Sequence, residues 1–231
     1  MVENPKARPD DRSEGETDRS QIYLDDRGTF ARGSNNFMYP YQAATGKVYL
    51  TTYGPEPAKF YEIDPYTGAY TMYEPGDYQM RMIAETSDGH LWTVSCYQYY
   101  LYEFDPETGA FVNAYQWPVR NDNMVCIVDP EDRIYTVKNY RLYSFDTRTR
   151  TFQDHGLVMP EGSMYDRGQH AQFGPDGNLY SVSDGSVFRF DPRSGDIEQI
   201  VTREQITADS GPSGLTGNDH LEQLDLPWLH G

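Results

Sequence analysis

One pattern occurs four times along the chain, and it constrains the fold more than any other feature. Each copy opens with Gly or Asp, a variable residue, an apolar residue and Tyr or Trp, as in Gly89-His-Leu-Trp92. A second strand then ends at an Asp-containing turn, as in Tyr102-Glu-Phe-Asp-Pro-Glu-Thr-Gly109. The openings recur every 43 to 45 residues, at Gly46, Gly89, Asp132 and Gly177. A fixed period of this length indicates a repeat architecture.

Each copy predicts four short β-strands, which in the second copy are Met80–Glu85, Leu91–Cys96, Leu101–Phe104 and Ala110–Tyr115. Glycines mark the turns between them, because glycine supplies the positive φ that tight turns need. An Asp recurs at one turn of every copy, which is typical of a structural cap, at Asp64, Asp105, Asp146 and Asp191. Four-stranded units at this period are typical of propeller blades, so the predicted fold is an all-β propeller with antiparallel blades.

The copies also predict the domain organisation. Residues 1–20 are charged and nearly free of large apolar side chains, which predicts a disordered tail. A single propeller domain is predicted over 21–231, with complete blades at about 36–74, 79–117, 122–160 and 168–203. Partial copies at 21–33 and 211–231 predict either one composite blade that closes a five-bladed ring or a fragment of a six- to seven-bladed propeller. A closed ring predicts a monomer, whereas an open one predicts an oligomer or a missing segment.

Charge and cysteine content limit the partners and the compartment. The chain has 36 acidic and 19 basic residues and a net charge of −17, which argues against nucleic acid or an anionic membrane as a partner. No apolar run is long enough for a transmembrane helix. The N-terminus lacks a signal-peptide core, which slightly favours the cytoplasm, or a secreted protein whose signal has been removed. Cys96 and Cys126 are expected to be free thiols, with a disulfide between them left open.

The repeats resemble those of the streptogramin (virginiamycin B) lyase-like propellers. The resemblance rests on Ser87-Asp-Gly-His-Leu-Trp92, on Tyr102–Gly109 followed by Trp117-Pro118, and on Pro175-Asp-Gly-Asn-Leu-Tyr180. The same motifs resemble gluconolactonase-like and NHL-type propellers, so the likeness over 21–200 implies a blade rather than one activity. The lyase-like family implies a metal-assisted elimination that opens a cyclic ester with a His base. The lactonase family implies a divalent metal held in the central channel.

Candidate ligand-binding residues lie in the loops that precede the innermost strands, at 74–79, 118–123 and 160–168. Ligand sites are concave and carry a few convergent polar groups, and these loops are rich in Asn, Asp, Arg and Tyr. The predicted ligand-binding residues in these loops are Tyr78, Arg120, Asn121, Asp122, Asn123, Tyr165 and Asp166, and Gln169 is added from the start of an innermost strand. Ordinary turn composition explains the same residues without any function.

Candidate catalytic residues come from the innermost strands and one loop. Arg81 and Glu85 replace apolar residues of the third copy, and His170 stands where the other copies have aromatic or apolar residues. An imidazole that titrates near neutral pH suits a general base or a metal ligand. Arg81 or Arg167 then provides positive charge for an anionic intermediate. His90 occupies a turn position and is expected to be solvated surface.

A ligand-binding or interaction propeller is the favoured function, because no catalytic motif is present and a fold alone does not define an activity. The alternative is an enzyme, either a lyase or a lactonase-type hydrolase. Expected partners are a small polar molecule, a glycan or a protein, with neither nucleic acid nor a membrane among them. The cofactor is unassigned, since no metal motif is present, and a divalent metal such as Ca²⁺ or Mg²⁺ in the channel belongs to the enzyme alternative.

Overall fold

Four antiparallel sheets of four strands each make up the part of the chain that this computed structural model describes. The structure describes residues 36–53, 57–77, 79–95, 98–119, 125–158, 170–183, 186–202 and 204–205. Strand order follows chain order in every sheet, as predicted for propeller blades. Within these residues the sheets form a partial propeller rather than a closed ring. The predicted tail, both partial copies and Cys96 lie outside the described residues.

The strands of each blade are numbered in chain order. Blade 1 consists of β1 (Asn36–Gln42), β2 (Val48–Tyr53), β3 (Phe60–Ile63) and β4 (Tyr70–Tyr73). Blade 2 consists of β5 (Met80–Glu85), β6 (Leu91–Ser95), β7 (Tyr100–Asp105) and β8 (Ala110–Gln116). Blade 3 consists of β9 (Ile127–Val128), β10 (Arg133–Lys138), β11 (Arg141–Asp146) and β12 (Thr151–Leu157). Blade 4 consists of β13 (His170–Phe173), β14 (Leu179–Ser183), β15 (Ser186–Phe190) and β16 (Ile197–Val201).

The recurring Asp of each copy caps the turn between the third and fourth strands. Asp105 Oδ1 accepts hydrogen bonds from the backbone N–H groups of Glu107 at 2.8 Å and Thr108 at 3.4 Å. The hydrogen bond from the Thr108 hydroxyl, and then that from the Glu107 N–H, hold the pKa of Asp105 below its usual value. Equivalent bonds to Asp64, Asp146 and Asp191 confirm that this residue is structural in every blade.

A repeated aromatic contact joins each blade to the next. A ring on the second strand of one blade meets a Phe on the third strand of the following blade. The ring centroids are 6.2 Å apart in Tyr49–Phe104, 5.7 Å in Trp92–Phe145 and 5.9 Å in Tyr135–Phe190. All six side chains are at most 1% exposed. Apolar clusters surround each of these inter-blade aromatic pairs, so the core lies between the blades.

Two carboxylates also tie a blade to the first turn of the blade before it. The Glu85 carboxylate accepts a hydrogen bond from the backbone N–H of Ala44 at 2.9 Å. Asp132 accepts bonds from the backbone N–H, at 2.7 Å, and the hydroxyl of Ser87. Ala44 and Ser87 occupy equivalent positions, and blade 3 has Pro130 there, which lacks an N–H. These carboxylate contacts therefore join blade 1 to blade 2 and blade 2 to blade 3. In the equivalent turn of blade 3, Pro130 cannot donate this backbone hydrogen bond.

Cys126 is a buried free thiol next to β9, as expected for this cysteine. Its Sγ lies 3.5 Å from the carbonyl oxygen of Trp92, and burial raises the pKa of the thiol well above its usual value. The thiol therefore behaves as a small apolar side chain in the core between blades 2 and 3. No helix among the described residues has the length and apolar character needed to cross a membrane.

Replacing Phe145 by Ala is expected to lower the free energy of unfolding by about 3–5 kcal/mol, because it removes a fully buried ring and leaves a cavity between blades 2 and 3. The matched control is Val112→Ala on β8, where the side chain is 42% exposed. That change is expected to stay within about 0.5 kcal/mol of the unmodified protein. Urea unfolding followed by circular dichroism measures both, and equal midpoints for the two variants would contradict the inter-blade core.

Candidate functional site

Two cationic side chains lie buried at the same end of blades 2 and 3. Arg81, near the start of β5, is 7% exposed, and Lys138, at the end of β10, is fully buried. Both β5 and β9 are first strands of their blades, and β10 is antiparallel to β9. The start of β5 and the end of β10 therefore lie at the same end of the propeller. We call this end, with Asp77, Gln79, Arg81 and Lys138, the channel mouth.

Arg81 is held by hydrogen bonds to its backbone and to its side chain. The hydroxyls of Thr51 and Thr93 donate to the Arg81 carbonyl oxygen at 2.9 and 3.3 Å. The guanidinium Nη2 donates to Gln79 Oε1 at 3.3 Å. Thr51 thus anchors β5 to blade 1, and Thr93 anchors it to β6 within blade 2. The Gln79 amide oxygen is a neutral acceptor, and its contact orients the guanidinium.

Lys138 lies among aromatic rings at the channel mouth. Its Nζ is 5.3 Å from the ring centroid of Tyr99 and 5.7 Å from that of Trp117. Ring faces attract a cation at these distances, and the attraction is stronger where water is excluded. The end of the second strand carries small polar residues in the other copies, namely Thr52, Ser95 and Ser183. Comparing this position across the copies would have singled out Lys138, which the sequence analysis missed.

Asp77 adds a buried acid to the same end of the molecule. It is fully buried, and its Oδ2 accepts a hydrogen bond from the Tyr102 hydroxyl at 3.2 Å. Its carbonyl oxygen accepts the backbone N–H of Ala58 at 2.6 Å, which ties the loop to blade 1. Burial, and then the negative charge of Asp77, raise the pKa of Tyr102 well above its usual value. The phenol therefore stays protonated and remains a donor to the carboxylate.

Two turns near the channel mouth have backbone conformations that tyrosine rarely adopts. Tyr99 and Tyr140 precede β7 and β11, and each has a φ of +64°. The Tyr99 carbonyl oxygen accepts the N–H of Trp117 at 2.8 Å, and that of Tyr140 accepts the N–H of Val158 at 2.9 Å. Such conformations cost of order 1–3 kcal/mol each, and they concentrate at functional sites. These strained turns and the buried cations occur at the same end of the propeller.

The other described candidates take different positions. Glu85 lies at the other end of β5 from Arg81. Its carboxylate accepts a hydrogen bond from the Tyr41 hydroxyl at 3.2 Å, in addition to the bond from the backbone N–H of Ala44. Burial, and then the charge of Glu85, raise the pKa of Tyr41 to about 12. His170 begins β13 at the mouth end, where its side chain is exposed and its carbonyl oxygen accepts the Ser181 hydroxyl at 2.8 Å. The structure thus brings Arg81 and His170 to one end and places Glu85 at the other.

The remaining candidates lie outside the described residues, and their roles stay predictions: Tyr78, Arg120, Asn121, Asp122, Asn123, Tyr165, Asp166, Arg167 and Gln169. Among the described side chains no three His, Cys, Asp or Glu groups are arranged to hold a metal ion. A Ca²⁺ or Mg²⁺ site in the channel likewise stays a prediction.

A polar network at the opposite end of blades 2 and 3 corrects the expectation for His90. Its Nδ1 lies 2.8 Å from Oε1 of Glu103, and the two side chains are 30% and 1% exposed. Glu103 also accepts bonds from Arg150 Nη1 at 3.0 Å and Asn113 Nδ2 at 2.7 Å. The Arg150 guanidinium stacks 5.5 Å from the Trp92 ring. His90 is therefore a partly buried member of an inter-blade network rather than solvated surface.

His155 lies between blades 3 and 4. Its Nε2 is 2.8 Å from the Ser144 hydroxyl, and its ring packs against Tyr135 at 5.8 Å and Phe190 at 4.7 Å. Burial, and then the positive charge of Arg133, hold the pKa of His155 below its usual 6.5. Ser144 is only 2% exposed, so this Ser–His pair presents no nucleophile to a substrate. Its contribution is to packing between the blades.

No protein-family model matches the chain, and no curated protein matches it. Among solved structures, virginiamycin B lyase from Staphylococcus aureus has a TM-score of 0.63 at 20% identity, covering 80% of this chain and 61% of that one. A catalytically inactive form of that lyase with quinupristin has a TM-score of 0.64 at 18% identity, with coverages of 80% and 61%. An auxiliary nutrient binding protein from Bacteroides thetaiotaomicron has a TM-score of 0.55 at 15% identity, with coverages of 71% and 40%. These likenesses show the propeller fold, and the chain spans about 61% of the lyase's length.

The lowered pKa of His155 predicts a loss of stability in mild acid. The unfolded chain takes up this proton near pH 6.5, and the folded protein does so only at lower pH. The contribution of neutral His155 is therefore complete above about pH 6.5 and is lost as the pH falls toward the folded pKa. Between about pH 8 and pH 5, the Tm of the unmodified protein should fall more steeply than that of His155→Gln. Parallel curves for the unmodified protein and His155→Gln would contradict the assignment.

Proposed function

We propose that this protein binds a polar ligand with an acidic group at the channel mouth. The observation that carries the proposal is the burial of two cations, Arg81 and Lys138, at the channel mouth. Guanidinium and ammonium groups bind carboxylates and phosphates through charge-assisted hydrogen bonds, so a ligand with an acidic group fits this pair of cations. The Gln79 amide and the rings of Tyr99 and Trp117 add hydrogen-bonding and stacking groups of the kind that fix a ligand's orientation.

The charge of the whole chain sharpens this proposal. With a net charge of −17, most of the surface repels anions, so a site for an acidic ligand needs local positive charge. Only four Lys residues occur in the sequence, and one of them is Lys138. A binding role is favoured over catalysis, because Asp77, the buried acid at the mouth, is engaged by the Tyr102 hydroxyl. A small molecule, an acidic glycan or an acidic protein side chain all present the same chemical group.

The test compares acidic probes with neutral ones of the same shape. Glucuronate should raise the Tm of the protein and bind in calorimetry, whereas glucose should do neither. Lys138→Met should weaken glucuronate binding at least about tenfold, because it removes a charge-assisted contact and keeps the apolar stem. Arg148→Met is the matched control, since it removes an exposed cation from the β11–β12 turn at the opposite end.

Folding of the Lys138→Met variant is checked separately by circular dichroism and by its Tm without probe. An apolar side chain of similar volume is expected to be tolerated among aromatic rings. Arg81→Gln gives a second, independent loss of positive charge at the mouth. Equal affinity for glucuronate and glucose, or equal weakening by Arg148→Met, would show that the channel mouth is not the site.

An enzyme is the second function we propose, supported by the exposed His170 at the mouth end of an innermost strand. The fold likeness to virginiamycin B lyase suggests quinupristin as a first substrate to try. Elimination opens a cyclic ester without a change in mass, and hydrolysis adds one water, so mass spectrometry with chromatography separates the two reactions. Any turnover should require His170 and should be lost in His170→Ala. Equal turnover by His170→Ala would remove this residue as the base.

A further inference from the structure

Two buried polar groups between blades 2 and 3 make no hydrogen bond within the part of the chain that the structure describes. They are the indole N–H of Trp117, a residue that is 2% exposed, and the hydroxyl of Thr136, which is fully buried. Unpaired buried donors are rare in folded proteins, and each one calls for a partner that the fold itself does not provide. In a ligand-binding protein, an acceptor on the ligand is such a partner.

Thr136 faces blade 2 from the same side of β10 as Lys138. Side chains alternate along a strand, so Ile134, Thr136 and Lys138 share one face, and Ile134 packs in the cluster between blades 2 and 3. The equivalent hydroxyls of Thr93 and Ser181 donate to carbonyl oxygens on the first strands of their own blades. In blade 3 the first strand, β9, is two residues long and pairs with the start of β10. The Thr136 hydroxyl is therefore released from the role that this position has in blades 2 and 4.

Trp117 brings its indole to Lys138 from blade 2. Its ring packs against Phe152 of blade 3 at 4.7 Å, and Lys138 Nζ lies 5.7 Å from its centroid. The backbone N–H of Trp117 donates to the Tyr99 carbonyl oxygen, and the equivalent residue of blade 3 is Val158. An indole N–H and an ammonium group are donors only. The two side chains therefore offer hydrogen bonds to the same kind of group, an acceptor.

Tyr99 covers Lys138 at the channel mouth. Its ring centroid is 5.3 Å from Nζ, and Tyr99 is partly exposed whereas Lys138 is fully buried. The φ of +64° at Tyr99 lies in the left-handed region that favours glycine. A partly exposed ring changes rotamer without a rearrangement of the strands. Displacement of the Tyr99 ring therefore opens a path from solvent to Lys138.

We infer that the acidic group of the ligand binds beneath the Tyr99 ring, where Lys138, Trp117 and Thr136 donate hydrogen bonds to it. The inference rests on the proposed function, to which it adds the residues that recognise the acidic group and the side chain that controls access. A carboxylate has two oxygens with about four acceptor sites, so it serves three donors at once. Its hydrogen bonds are about twice as strong as those of a neutral hydroxyl. The site therefore selects an acid over a neutral sugar.

Trp117→Phe removes the indole N–H and keeps an aromatic ring. The affinity for glucuronate should fall about tenfold in calorimetry, because a hydrogen bond to a charged group is lost. The matched control is Trp92→Phe at the opposite end, where the indole N–H donates to the Thr86 hydroxyl at 3.0 Å. This control should bind glucuronate as the unmodified protein does. A Trp117 that only packs between the blades would change the Tm and leave the affinity unaltered.

Thr136→Val keeps the shape of the side chain and removes the hydroxyl. It should weaken glucuronate binding without lowering the Tm measured without probe, because no group of the fold loses a hydrogen bond. If Lys138→Met weakens binding while Trp117→Phe and Thr136→Val do not, this inference is overturned and the proposed function stands. If glucuronate does not bind the unmodified protein, both are overturned.

Acetylation of Lys138 by acetic anhydride, followed by peptide mass spectrometry, tests the cover. Relative to the exposed Lys47, Lys138 should react several-fold faster in Tyr99→Gly than in the unmodified protein, and glucuronate should suppress the reaction. Tyr140→Gly is the matched control, since it relieves the same φ of +64° at the equivalent turn and should leave the Lys138 rate unchanged. Equal Lys138 rates in the two Gly variants, or no protection by glucuronate, overturn the inference.

Discussion

The inter-blade aromatic pair is the contact on which the rest of the structure depends. A single four-stranded blade has two faces, and each requires an apolar partner before the sheet is stable. The Tyr or Trp of one blade and the Phe of the next provide this partner at three successive interfaces, with every ring at most 1% exposed. Ring pairs of this kind add about 0.5–1.5 kcal/mol beyond the burial of their area. Blades 2 and 3 each supply one ring toward the preceding blade and one toward the following blade, and blades 1 and 4 carry the equivalent positions. Tyr180 on blade 4 occupies the position of Tyr49, and Ile63 on blade 1 occupies that of Phe104.

Much of this architecture was predictable because it is encoded by local signals. The strands follow from alternation, and the turns follow from glycine and from Asp residues such as Asp105 that bind their own backbone. Repetition strengthened these signals, since an error in one copy is corrected by the others. Contacts between blades were less accessible to sequence reasoning. His90 was expected at a solvated turn, yet it meets Glu103, and Glu103 in turn binds Arg150 from the next blade. Glu103 and Arg150 are 47 positions apart in the chain, so no local sequence pattern predicts their contact.

The channel mouth shows the same division between scaffold and specialised residues. Thr93 anchors Arg81 through its hydroxyl and belongs to the repeated framework, because Ser181 makes the equivalent bond in blade 4. Arg81 is predicted from its departure from the repeat. Lys138 emerges only when the residues that end the second strand are compared across the four copies. The strained backbone of Tyr99 lies next to Lys138 in space, with its ring 5.3 Å from Nζ. Strain, buried charge and departure from the repeat thus coincide at one end of the propeller.

Asp132 shows how such a cost is offset within the scaffold. Its φ of +62° falls where the other copies have Gly, and an L-residue there costs roughly 1–2 kcal/mol. The side chain recovers this through two hydrogen bonds to Ser87 of blade 2, which are charge-assisted and stronger than neutral ones. Blade 3 has Pro130 at the position of Ser87, so no N–H is available there for a carboxylate of blade 4. Ring packing at the interface between blades 3 and 4 includes His155 against Phe190. Because burial lowers the pKa of His155, the stability of this interface is coupled to pH.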